Sequence, residues 1–162
     1  MRRKLTMLLL AGVVSLALVT GATARTARHV SGTYTVPNFG VTTCPWSGFG
    51  ASATVLVCTT THFVSLYSGD LQGRSFTTFT QAINCTTGRT SVYGVERFTG
   101  SVKGVGSGTL VWTDRFDWST DCFSFFAFNV EGTGTITSAT GDLQGLEGTL
   151  TFTESTYDGV LH

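Results

Sequence analysis

The sequence predicts an all-β domain, a closed antiparallel up-and-down barrel of about eight strands, behind an N-terminal export signal. Three observations predict it. Threonine, a β-branched residue that suits a pleated surface, occurs 27 times after residue 24, and glycine 18 times. Apolar residues alternate with threonine in several short runs, and no stretch has the Leu/Ala/Glu/Lys content of an amphipathic helix. The runs are joined by short turns, the spacing of a sandwich or barrel. Closure would remove the exposed edges that a chain with so few Lys and Pro residues does little else to guard.

The elements follow in chain order. Arg2, Arg3 and Lys4 form a basic n-region, residues 5–19 are apolar apart from Thr6, Gly12 and Ser15, and Ala22-Thr23-Ala24 is a small-residue cleavage pattern. That apolar run is shorter than the ~20 residues a spanning helix needs. Residues 1–24 therefore read as a secretory signal peptide, and no stable membrane insertion is expected. The mature protein is expected to be secreted, either extracellular or periplasmic. Residues 25–30 read as a short N-terminal tail and 31–162 as a single barrel domain. Without the signal the chain keeps 7 basic against 10 acidic side chains, a formal charge of −3, with Lys103 as its one lysine. No basic stripe survives, which excludes nucleic acid as a partner.

Strands are expected around Thr33-Tyr34-Thr35-Val36, over 51–67 with a break near Thr59-Thr60-Thr61, and over 75–85 and 91–99. Gly100, Gly104 and Gly106 then lead into a strand over 108–115. A polar turn at 117–121 precedes an aromatic strand over 122–130, and the last strand covers 146–154. Thr149-Leu150-Thr151-Phe152-Thr153 is the clearest alternation, with Leu150 and Phe152 on one face. Gly104-Val105-Gly106-Ser107-Gly108 has the look of a phosphate loop but lies between strands and lacks the Gly-Lys-Ser/Thr ending, so it reads as a bulged hairpin.

All four cysteines follow the signal, and an even count in an exported chain favours disulfides. There is no C-x-x-C pair, and of His29, His62 and His162 only His62 is central, so neither a metal nor a cofactor is expected. The strand reading brings Cys85 and Cys122 to one rim and leaves Cys44 to pair with Cys58.

The string GDLQG occurs at 69–73 and again at 141–145. Its Gly-Asp and Gln-Gly pairs are turn-formers around one apolar leucine, so the two copies read as equivalent turns capping the core. These strings belong to an ordered set that includes Tyr93-Gly94-Val95-Glu96-Arg97-Phe98-Thr99-Gly100, Gly106-Ser107-Gly108-Thr109 and Thr140-Gly141-Asp142-Leu143-Gln144-Gly145-Leu146-Glu147-Gly148. The set resembles a bacterial family of uncharacterised small proteins that are similar to the allene oxide cyclase barrel, a calycin-like fold also similar to dirigent proteins. The resemblance runs from about Ser31 to Glu154 and implies the barrel. It carries over no catalytic residue. The signal peptide, the four cysteines and the segment 38–50 depart from the family pattern.

No G-x-S-x-G elbow is present. Glu96 is the leading candidate, because strand parity groups it with Gly94 and Phe98 on the side expected to face the interior. A buried carboxyl has a raised pKa and can act as an acid or base, or it can be a paired structural group. His62 shares parity with Leu56, Cys58, Val64 and Leu66, which makes it a second catalytic candidate on an apolar face. Glu96, Phe98 and Trp112 are the candidate ligand-binding residues. Trp112, Phe123, Phe125, Phe126 and Phe128 supply core, and their excess could line a cavity or contact a second copy of the chain. The leading expectation is a binding barrel for an apolar small molecule. A cofactor-independent cyclase or isomerase and a filled barrel with a structural or interaction role stand beside it.

Overall fold

The computed structural model describes residues 26–44, 55–120 and 128–162, and among them the chain is entirely β. The strands are β1 (Arg28–Asn38), β2 (Val41–Thr43), β3 (Val55–Gly69), β4 (Leu71–Asn84), β5 (Arg89–Val102), β6 (Gly106–Ser119), β7 (Phe128–Gly141), β8 (Gly148–Thr153) and β9 (Thr156–Leu161). They form one nine-strand antiparallel sheet in the order β1-β9-β8-β7-β6-β5-β4-β3-β2, and a β1–β3 pairing closes it into a ring. β1 and β2 are successive stretches along β3, Gly32 pairing Gly69 and Val41 pairing Thr61. Around the circumference the ring is thus eight strands wide. Residues 1–24, the expected signal peptide, lie outside the described residues.

Several expected elements are corrected. β1 takes in Arg28, His29 and Val30, which the sequence placed in a tail, and Val30 is fully buried. The expected strand over 122–130 lies largely outside the described residues, and β7 runs on to Gly141. β9 is an additional strand, and the expected last strand is the shorter β8. β7 escaped notice for a packing reason. Its inward positions include Gly132 and Gly134, so the apolar period vanishes. A Cβ on Gly132 would lie 2.1 Å from Phe116 Cδ1, and one on Gly134 would lie 2.7 Å from Trp112 Cδ1. The neighbours' rings fill the space that side chains of β7 would otherwise take.

The GDLQG copies do form equivalent turns. The Asp70 amide donates to Ser31 O at 3.0 Å, and the Ser31 amide donates back to Asp70 Oδ2 at 3.1 Å. Asp142 and Ser107 repeat this pair at 3.0 and 3.1 Å. Leu71 and Leu143, next in each string, are fully buried. Both recipient strands carry Ser-Gly-Thr, and a Cβ on Gly32 or Gly108 would meet a backbone oxygen at 2.0 Å. One packing solution is used twice.

The apolar core occupies the end of the ring near these turns. Val30, Leu71, Phe98, Val102, Leu110, Trp112, Leu143, Leu150, Phe152, Tyr157 and Leu161 are its most buried members. The glycine-rich stretch is the β5–β6 hairpin, with Val102 paired to Gly106 across the loop 103–105. Cys44 and Cys58 are disulfide-bonded, their Cα atoms 4.2 Å apart, which ties the chain after β2 to β3. Cys122 lies outside the described residues, and with it the expected Cys85–Cys122 pairing.

Candidate functional site

Three neighbouring strands bring two carboxyls into the interior. The β4–β5–β6 register aligns Thr77 with Glu96 and Glu96 with Trp112, and sets Asp114 opposite Gly94. Alternation then sends Glu96 and Phe98 inward from β5, and Leu110, Trp112 and Asp114 inward from β6. Glu96 is 4% exposed and Asp114 3%. Asp114 has glycine beside it on both neighbouring strands, Gly94 on β5 and Gly134 on β7. From β3, Tyr67 Oη donates to Glu96 Oε1 at 2.6 Å.

Among the described residues no cation neutralises the pair. Every lysine, arginine and histidine among the described residues is exposed, and the two ion pairs there, His29–Asp158 and Lys103–Asp70, lie elsewhere. Burial pushes the Glu96 carboxyl up, against the pull of hydrogen-bonding groups on Ser75, Tyr67, Thr77 and Asp114. Burial, then the charge of Glu96, pushes Asp114 up to about 9. Two carboxyls in hydrogen-bonding reach of each other without a cation beside them share a proton, so they titrate as a coupled pair, both raised. The same surroundings push the Tyr34 hydroxyl up to about 12.

Neither Asp114 oxygen has a conventional donor, and Ser75 Oγ, Thr77 Oγ1 and Trp112 Nε1 are likewise buried without a partner in hydrogen-bond geometry. Ser75 and Thr77 stand beside Glu96, and Trp112 beside Asp114. Buried polar groups in folded proteins are otherwise nearly always paired, so this concentration marks the spot as something other than ordinary core.

Above the pair, toward the end of the ring away from the GDLQG turns, the interior is aromatic. Phe63, Phe79, Trp118, Phe116 and Tyr34 point inward yet are only half-buried, as are the inward glycines Gly94 and Gly132. Their rings run in contact around the wall. Phe63–Phe79 centroids are 5.4 Å apart, Phe79–Trp118 6.0 Å, Trp118–Phe116 6.5 Å, Phe116–Phe152 5.4 Å and Phe152–Tyr34 5.9 Å. Tyr34 stacks on Tyr67 at 5.9 Å, which joins the belt to the carboxyl pair. A separate depression of about 440 Å³, lined by Arg115, Asp117, Glu131 and Thr151, lies on the outer face.

The expected residues divide. Glu96 faces the interior. Phe98 and Trp112 are fully buried beneath it, their rings stacked at 6.1 Å. His62 is not part of the site, and its parity is corrected. A bulge between Thr60 and Phe63 breaks the alternation of β3, so Cys58 and Thr60 face in, then Phe63, Ser65 and Tyr67. His62 sits on that bulge, exposed and with φ 58°, its ring bonded to Thr61 Oγ1 at 3.1 Å. Phe123, Phe125 and Phe126 lie outside the described residues. Asp114 was missed, although its parity with Leu110, Trp112 and Phe116 was readable. Among the described residues no three His, Cys, Asp or Glu side chains gather as metal ligands.

Fold and site together define a class, a closed antiparallel β-ring with a buried carboxyl pair in its wall. The chain belongs to the DUF3224 family, described as proteins of unknown function, whose family model matches residues 30–159. It is similar to the crystal structure of a protein of unknown function from that family in Shewanella oneidensis MR-1. The two share 17% identity with a TM-score of 0.60, over 84% of this chain and 96% of the other. At that identity the likeness concerns the fold alone. No curated protein matches the chain.

Proposed function

We propose that this chain is an exported small β-barrel, similar in architecture to the allene oxide cyclase barrel, that binds an apolar small molecule in its interior. The observation that carries this reading is the half-buried state of five inward-facing aromatic side chains above the carboxyl pair. Aromatic side chains turned toward the inside of a closed ring would be covered if the interior were filled to native density. A cavity lined by such rings, with a few polar groups at its inner end, is the usual form of a small-molecule site. The disulfide is compatible with an oxidising compartment.

A second reading is favoured by the carboxyl pair itself. A protonated Asp114 beside Glu96 would place an acid and a base at one spot, the equipment of a cofactor-independent cyclase or isomerase.

Native mass spectrometry of the protein purified from culture medium or periplasm tests the binding reading. It should show a co-purified apolar molecule on a chain that begins at Arg25. Titration with 1-naphthylmethanol should show saturable binding, weakened about tenfold, or roughly 1.4 kcal/mol, by Phe79→Ala or Trp118→Ala. A filled barrel would show neither the bound molecule nor the probe binding, and retention of residues 1–24 would remove export from the reading.

A further inference from the structure

We propose that the ligand is an organic amine, its ammonium held between Glu96 and Asp114 and its apolar body against the aromatic belt. This rests on reading the interior as a ligand site and names the chemistry that site recognises.

The acceptors are present and unused. Apart from the proton shared with Glu96 and the Trp112 N–H standing beside it, Asp114 has no donor in hydrogen-bond geometry, and Glu96 has Tyr67 as its donor. Ser75 and Thr77, buried beside Glu96, add hydroxyl oxygens whose acceptor lone pairs are free. An ammonium brings three N–H donors and no acceptor, which matches this set. A carboxylate or phosphate would meet a net-negative pair, with no basic side chain of the described residues near, since all of those are on the outside. Bound there, the ammonium would supply the positive charge that the shared proton otherwise provides, and that proton would leave to solvent.

The wall above the pair suits a cation as well. Tyr34, Phe63, Phe79, Phe116 and Trp118 present ring faces and edges around the interior, and an organic cation is attracted to aromatic faces by the ring quadrupole. Of the glycines flanking Asp114, Gly94 on β5 is half-buried, and a Cβ there would lie 2.9 Å from Phe79 Cβ, so the base of the belt sits directly beside the carboxyl. On β7 the space beside Gly134 is taken by Trp112 and Phe152.

Calorimetric titration of the intact mature protein at pH 7.5 with 1-naphthylmethylamine, 1-naphthylmethanol and 1-naphthoate tests the assignment. These probes share one apolar body and differ in the charge of the head. The amine should bind at least about tenfold tighter than the alcohol, with the carboxylate weakest, and Asp114→Asn should reduce the amine's advantage to about threefold or less. Thermal unfolding of the variant checks that it is folded. Equal affinity for amine and alcohol overturns the amine assignment while the interior remains a ligand site. An amine preference that survives intact in folded Asp114→Asn also overturns it. If none of the three binds, the ligand-site reading fails and the amine assignment falls with it.

Discussion

Stability is expected to fall as the pH rises from about 5 to about 8. The sign follows from Asp114. Its carboxyl is raised from 3.8 to about 9 in the folded chain, so between those values the native state holds a proton that the unfolded state has lost. A group of this kind contributes stability that is fully present below its unfolded pKa and is lost as the pH climbs through its folded pKa. One such proton gives a slope of at most about 1.4 kcal/mol per pH unit. The other titratable groups facing the pair are Tyr34 from β1 and Tyr67 from β3, both raised and so neutral throughout this window. β4 presents only the hydroxyls of Ser75 and Thr77, and β7 presents Gly134. Asp70 is held below the ordinary carboxylate range by the Ser31 amide and Lys103, so its contribution is lost only as the pH falls below about 4. Thermal midpoints measured at pH 5, 6, 7 and 8 should decline steadily, by about 5 °C or more in all. Asp114→Asn, which keeps a hydrogen-bond donor and removes the titration, should flatten the slope and be the more stable protein at pH 8. A wild-type midpoint that is level or rises over this range would show that the pair does not share a proton.

Trp112→Ala should cost about 3–5 kcal/mol, the range for removing a fully buried large aromatic side chain. Trp112 is 0% exposed at the junction of the apolar core and the carboxyl pair. It stacks on Phe98 at 6.1 Å and on Phe152 at 6.4 Å, and meets Tyr67 edge-on at 6.0 Å. Its ring also fills the space beside Gly134, where β7 has no side chain of its own to relax into the gap. The loss therefore combines apolar burial, ring contacts and a cavity that the wall cannot close. Urea unfolding followed by circular dichroism at pH 5, well below the raised titration of Asp114, measures it. A cost below about 1 kcal/mol would mean that the interior at this level is loosely packed, contrary to the structure.

Glu96 and Asp114 show how far local pattern reaches. The parity of Gly94, Glu96 and Phe98 was readable because β5 alternates without interruption over its pairing with β6. The same rule applied to Leu110, Trp112, Asp114 and Phe116 would have found the second carboxyl. That the two meet was not readable, because it needs the register that the three-residue loop 103–105 imposes between Val102 and Gly106. His62 failed in the opposite way. Its parity was correctly counted along the chain, but a bulge inserted between Thr60 and Phe63 shifts the faces on either side.

By itself the sequence determined what depends on near neighbours. Threonine and glycine content set the β class, alternation placed β8 and most of β5 and β6, and the two GDLQG strings announced two equal turns. The position of Glu96 belongs here too. Tertiary structure alone decided the closure of β1 on β3, the two additional segments β7 and β9, and the meeting of Glu96 with Asp114 and the aromatic belt. The reason is that side-chain volume is shared across strands. Where Trp112 and Phe116 fill the interior, the facing strand must carry glycine, and its apolar period disappears from the sequence although its burial does not.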